Sequence, residues 1–137
     1  MKHYNVVCAV VIDKSQRVLC VRKGATKYPY TSFKWEFPGG KIEEGETLSQ
    51  ALHRELLEEL DFDVIVGRQL LTINYSYPDF DITMTAFLCT AATHEFKMTE
   101  HQEAKWATRD EMKELSWCAA DIPIMRYICK EHIYRPR

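Results

Sequence analysis

The chain has 137 residues, is 46% hydrophobic and carries a formal net charge of −2 at pH 7. That length suits one globular domain over residues 1–137, with a core of its own and no room for a second. The charge argues against a nucleic-acid polymer as partner, since such proteins carry a basic surplus, and no stretch approaches the roughly 18 apolar residues that a membrane span needs.

Val6 to Ile12 is a continuous apolar run, predicted as a central strand. Asp13-Lys14-Ser15-Gln16 turns the chain into a second strand over Arg17 to Arg22. The Met1-Lys2-His3-Tyr4 start leads into the first strand and not into a signal peptide. Pro38-Gly39-Gly40 reads as a tight turn, where backbone approaches a ligand or metal with no Cβ in the way. Thr47 followed by Gln50 is a capping box that opens a helix to Leu60, with Leu48, Leu52, Leu56 and Leu60 as its core-facing stripe. Asp63 to Tyr75 and Asp81 to Cys89 read as a long strand pair around a Tyr77-Pro78-Asp79 turn, and Glu103 to Ala107 as a short strand. Thr108 and Glu111 form a second capping box for a short helix to Leu115. Asp121 and Pro123 open a last helix to about Tyr134, with Ile122, Met125, Ile128, Cys129 and Ile133 facing the core. The pattern predicts an α/β protein, a sheet with helices on either side.

Five scattered cysteines, Cys8, Cys20, Cys89, Cys118 and Cys129, sit in apolar runs without a Cys-x-x-Cys pair. They predict reduced core residues in a soluble cytoplasmic protein. His94 and His101 lack metal spacing and lie in polar surroundings, so both are expected at the surface.

The predicted helix from Thr47 puts Glu55, Glu58 and Glu59 on one face at i, i+3 and i+4. Three like charges so close repel one another unless a cation sits among them. Carboxylate oxygens without His or Cys neighbours favour Mg²⁺ or Mn²⁺ over zinc. A metal-bound acid cluster of this kind neutralises a polyphosphate and positions a deprotonated water, which points to hydrolysis of a phosphoanhydride. The alternative for an acidic helix taken alone is a solvated face.

The segment WEFPGGKIEEGET, Trp35 to Thr47, argues for the metal. Gly40, Glu46, Arg54, Glu55, Leu56, Glu58, Glu59 and Phe62 fit the spacing of the Nudix box, with Asp61 where that family has glycine. Asp tolerates the left-handed backbone common after a helix end, so this departure is mild. The chain resembles the Nudix hydrolases, and the resemblance implies an α/β/α sandwich around a mixed sheet. It also implies that Glu55, Glu58, Glu59 and the Gly39 carbonyl bind metal, and that one glutamate, with Glu55 the choice, takes the proton from water. Glu46 and Arg54 are expected to pair and brace the loop on the helix; Arg54 on phosphate is the competing role. Glu100, six residues before Trp106, matches a further metal-binding glutamate on a mobile loop, or is an ordinary loop acid.

Around the box the chain is similar to small pyrophosphohydrolases of nucleoside triphosphates, which act on oxidised guanine nucleotides or on CTP. Cys118-Ala119-Ala120-Asp121-Ile122-Pro123 looks like the tail of the cytidine type. An ionised Asp121 accepts hydrogen bonds and suits the cytosine amine, although Asp is also a favoured helix N-cap. Phe37 and Tyr77 are candidates to stack on the base, and Tyr28, Tyr30 and Phe33 to form a lid over it. Arg22 and Lys23 are candidates for the phosphate tail, with a solvated strand end as the alternative. The expected activity is Mg²⁺-dependent (or Mn²⁺-dependent) cleavage of a nucleoside triphosphate to monophosphate and pyrophosphate, by a monomer or homodimer. The rivals are an 8-oxo-dGTP sanitiser, a non-catalytic nucleotide-binding module and a nucleotide-sugar hydrolase.

Overall fold

A computed structural model describes residues 1–131. Asp13 makes the first reversal: its Oδ1 accepts the Ser15 and Arg17 N–H groups at 2.9 and 2.8 Å, and Gln16 takes the left-handed conformation at φ 63°. The turn joins β1 (Lys2–Ile12) to β2 (Val18–Lys23), which meet antiparallel at Ile12 and Val18. Segment 35–41 then bridges the two strands, as β3 (Trp35–Glu36) on β2 and β4 (Gly39–Lys41) on β1. The predicted tight turn at Pro38-Gly39-Gly40 is therefore corrected: Gly39 and Gly40 lie in a strand. The reason is contact. A Cβ on Gly39 would overlap the Val7 carbonyl oxygen, and one on Gly40 would overlap the Glu55 carboxylate.

The remaining strands complete a mixed sheet. β6 (Phe80–Thr90) runs parallel to β1 along its length, β5 (Ile65–Ser76) pairs antiparallel with β6, and β7 (His101–Ala107) pairs antiparallel with β2. The order is β3-β2-β1-β6-β5, with β4 on β1 and β7 on β2. β1 is central, and both its faces are covered, which is why its sequence is continuously apolar. Val7, Ala9 and Val11 join one core with Ala51, Leu52, Leu56 and Leu60 of α1 (Leu48–Leu60). Cys8 and Val10 join the other, with Met112 of α2 (Arg109–Glu114) and Ile124, Met125 and Ile128 of α3 (Ile122–Glu131). The architecture is an α/β/α sandwich.

Local chemistry sets the helix limits. Thr47 and Gln50 form the capping box of α1, and Asp61 ends it in the left-handed conformation at φ 48°, its N–H on the Leu56 and Leu57 carbonyls. Thr108 and Glu111 cap α2 in the same way. A 3-10 turn (Ala119–Asp121) precedes α3, so that helix begins at Ile122 and not at Asp121; Ile133 and Tyr134 lie outside the described residues. The five cysteines are buried free thiols. Among the described residues, no helix is long and apolar enough to cross a membrane.

Candidate active site

A cavity of about 870 Å³ opens where segment 35–41 crosses between β2 and β1. Glu55, Glu58, Glu59 and Arg54 of α1 line it, together with Glu36, Glu100 and Asp121. The 3.6-residue period delivers the α1 acids to this side while Leu52, Leu56 and Leu60 dock on the sheet. Gly40 lets the backbone of β4 lie against the Glu55 carboxylate.

Arg54 is the hub of the acidic group. Its Nε and Nη2 donate to the two Glu46 oxygens at 2.6 and 2.9 Å, Nη2 also to the Lys41 carbonyl at 3.0 Å, and Nη1 to Glu55 and Glu58, each at 3.1 Å. The bidentate pair holds the Glu46 carboxyl down at about 2, chiefly through the Arg54 hydrogen bonds. With its fork filled by Glu46 and the Lys41 carbonyl, Arg54 ties the 41–46 loop to α1.

Glu59 carries the opposite perturbation. Burial, then the charges of Glu55 and Glu36, push its carboxyl up to about 9, and Glu100 adds to the repulsion. The crowding of these carboxyls is the repulsion that a cation would relieve. Among the described residues, no three His, Cys, Asp or Glu side chains close into a metal cage, because Glu58 and one Glu55 oxygen turn onto Arg54. What remains is an open, oxygen-only half-shell. Its donor chemistry fits Mg²⁺ or Mn²⁺, which keep several waters and take few carboxylates. Ala9 N–H donates to the Pro38 carbonyl at 2.8 Å, so the alternation of an antiparallel ladder directs the Gly39 carbonyl away from β1. Glu100 lines the same cavity, on a loop tied down by Thr99, whose N and Oγ1 donate to the Glu59 carbonyl at 3.2 and 2.8 Å.

Asp121 is 4% exposed, and its Oδ2 accepts the Phe37 N–H at 2.9 Å. No side-chain bond caps the 3-10 turn. The carboxyl serves segment 35–41 instead. Burial and then Glu36 hold it well above the ordinary carboxylate range, against the pull of the Phe37 N–H. The Asp121 carboxyl thus stands between the Phe37 N–H and the cavity, on the side where the sequence predicts contact with the base.

The aromatic candidates divide. Phe37 is 2% exposed and packs on Trp117 at 4.7 Å; Tyr77 is 6% exposed, stacks on Tyr30 at 5.4 Å, and its hydroxyl accepts the Ala120 N–H at 3.0 Å. Both line the cavity as buried walls with rings already packed against them. Tyr4 and Tyr28 are more open, with Lys41 over the Tyr4 ring at 4.3 Å and Lys27 over Tyr28 at 5.6 Å. Phe33 does not join the lid. It is 45% exposed, and it meets Arg22, whose Nε donates to the Phe33 carbonyl at 3.1 Å. Alternation along β2 sends Lys23 into the cavity and Arg22 out toward Glu103, which corrects the placing of Arg22 on phosphate.

Glu36 and His101 are among the lining residues that escaped the sequence reading. Glu36 lies between the two aromatics of WEF, and His101 follows Glu100. The His101 side chain is 5% exposed, with Nε2 at 3.0 Å from Glu36, so its expected surface position is corrected; His94, 53% exposed, is at the surface as expected. A histidine beside an acid at the start of a half-polar strand was the available signal.

Residues 1–128 match the family model described as NUDIX domain. The chain is 39% identical over 94 residues to the 8-oxo-dGTP diphosphatase of Proteus vulgaris, covering 69% of this chain and 82% of that protein. It is 29% identical over 136 residues to the CTP pyrophosphohydrolase of Escherichia coli K12, covering 99% and 98%. The solution structure of the E. coli ORF135 protein superposes with a TM-score of 0.80 at 28% identity, covering 99% of this chain and 95% of that one.

Proposed function

We propose that this chain, which belongs to the Nudix family, is a single-domain enzyme over 1–137 that hydrolyses nucleoside triphosphates to monophosphate and pyrophosphate, with a cytidine-type base preferred. The observation that carries the reading is one cavity with an oxygen-only acid cluster (Glu55, Glu58, Glu59 and Glu100) and a buried Asp121. Glu55, Glu58, Glu59, Glu100 and the Gly39 carbonyl would hold Mg²⁺ or Mn²⁺. Once bound, such an ion neutralises phosphate charge and acidifies a water. The buried free thiols support a cytoplasmic protein, and the substrate is a small nucleotide rather than a polymer.

The chain's own residues supply position and charge. Arg54 holds Glu55 by one oxygen and braces the 41–46 loop through Glu46. The second oxygen of Glu55, the one not held by Arg54, takes the proton from the attacking water as the new P–O bond forms. The opposite P–O bond of the anhydride breaks, and its electron pair leaves with the pyrophosphate. Lys23, Lys27 and Lys41 line the cavity and meet the phosphate chain. Phe37 and Tyr77 wall the base, and Tyr28 covers it. Asp121, held by the Phe37 N–H, meets the polar edge of the base: protonated it donates to cytosine N3, ionised it accepts from the amine.

The similarity to a CTP pyrophosphohydrolase over nearly the whole chain supports the cytidine preference. The rival, 8-oxo-dGTP, draws support from the higher identity to the Proteus vulgaris protein. Pyrophosphate release from CTP, dCTP, GTP and 8-oxo-dGTP, with and without Mg²⁺, decides between them. A kcat/KM highest for 8-oxo-dGTP would overturn the cytidine reading, and no release from any substrate would overturn the activity itself.

A further inference from the structure

Glu36 and His101 form a polar pair inside the cavity that the proposed chemistry leaves without a part. Glu36 sits on β3, one residue before the N–H that holds Asp121. It lines the same cavity as Asp121 and Glu59. Both its oxygens are engaged. Lys23 Nζ of β2 lies 3.6 Å from Oε1, and His101 Nε2 of β7 lies 3.0 Å from Oε2. His101 in turn is committed to this one bond, because its Nδ1 is buried with no hydrogen-bond partner. To bond the Glu36 carboxylate, the ring must donate from Nε2.

A buried imidazole with one bond is a costly way to fill space, and an apolar side chain would fill it without an orphaned nitrogen. What the ring adds is a fixed direction. A planar, nearly immobile donor on one strand and a lysine on its neighbour pin Glu36 from two sides, and the Lys23–His101 register of β2 and β7 sets their spacing. The preceding two residues tie the same segment to α1: Thr99 bonds the Glu59 carbonyl, and Glu100 faces Glu59.

We propose that His101 is a positioning residue for base selection, holding Glu36 fixed beside Asp121 so that two acids meet the polar edge of the base in one geometry. This rests on the nucleotide-hydrolysis reading above. Discrimination built on hydrogen bonds depends on groups that cannot re-aim toward the wrong partner. Without His101, Glu36 swings to Lys23 and both bases meet a looser wall.

The test compares wild type, His101→Ala, His101→Gln, Glu36→Gln and the His101→Ala/Glu36→Gln double variant. The measurements are kcat and KM on CTP and 8-oxo-dGTP, Mn²⁺ binding by electron paramagnetic resonance, and thermal unfolding. His101→Ala is expected to change the ratio of the two kcat/KM values by about 10-fold, mainly through KM, while Mn²⁺ affinity holds. His101→Gln, whose amide N–H reaches the Nε2 position, restores the ratio. The double variant is no worse than Glu36→Gln, because the strut has nothing left to hold. A His101→Ala protein whose activity falls equally on both nucleotides, or losses that simply add in the double variant, would overturn the proposal and leave the hydrolase reading standing. A wild type that cleaves neither nucleotide overturns both.

Discussion

Two adjacent glycines separate what the fold needs from what the proposed chemistry needs. A Cβ on Gly39 would overlap the Val7 carbonyl, which belongs to the central strand and has nowhere to go. A Cβ on Gly40 would first meet the Glu55 carboxylate, the far end of a flexible side chain. Restoring an ordinary contact requires that carboxylate to retreat by about 1 Å. Gly39→Ala is therefore a backbone clash in a packed sheet, costing about 1 to 3 kcal/mol and lowering Tm by roughly 3 to 12 °C. Gly40→Ala keeps the fold at a smaller cost, yet it displaces the proposed proton acceptor and metal ligand; misplacement on that scale costs about 100-fold in rate. The assays are thermal unfolding by circular dichroism, pyrophosphate release from CTP, and Mn²⁺ binding. The expected result is a crossed pattern, with stability lost at 39 and Mn²⁺ affinity and rate lost at 40. A Gly40→Ala protein with wild-type rate and Mn²⁺ affinity would refute the reasoning, since Glu55 would then not need its place.

Glu46 is held at about 2 by Arg54, below its usual 4.5, so its contribution to stability is complete above the usual value and disappears as pH falls toward 2; Glu46→Gln is expected to flatten the acid limb of stability against pH in urea unfolding. Asp121 behaves in the opposite sense. Its raised carboxyl binds the extra proton in the native state, so stability falls as pH rises above the ordinary carboxyl range, and Asp121→Asn removes that slope while Asp121→Ala also frees the Phe37 N–H. Chelation with EDTA is expected to abolish pyrophosphate release but leave the far-ultraviolet spectrum intact, because Arg54 occupies Glu55 and Glu58 when no ion does. Leu56→Ala, in the core between α1 and the sheet, is expected to cost about 2 to 5 kcal/mol in urea unfolding.

Periodicity and capping carried most of the fold. The apolar run at Val6, the leucine stripe of α1 and the capping boxes at Thr47 and Thr108 are local signals, and each appears where its chemistry places it. What sequence could not give is long-range pairing. Glycine and proline at 38–40 mark a turn in isolation, and only the need to bridge β2 and β1 makes that stretch a strand. The acids of the box share one helix face, so their grouping was readable. Glu36 and His101 meet across 65 positions in the chain, and no spacing rule reaches that far. Arg22 and Lys23 were indistinguishable until the phase of β2 was known, because neighbouring strand residues face opposite sides.

The ionisation of the cavity follows from how few cations it holds. Arg54 is committed to Glu46 before any other acid, as the low carboxyl of Glu46 attests, and it reaches Glu55 and Glu58 with the one nitrogen left over. Lys23 answers Glu36. Glu59 and Asp121 are the two carboxyls pushed upward, each in part by Glu36, with Lys23 opposing the shift of Asp121. A proton is one solution for each. The two differ in what else can replace it: Glu59 stands among Glu55, Glu36 and Glu100, a field that a doubly charged ion lowers far more than a proton does, whereas Asp121 already holds a backbone N–H and is 4% exposed. Segment 35–41 thus links the proposed cation site to the proposed base contact, since Gly40 lies against the Glu55 carboxylate and the Phe37 N–H holds Asp121.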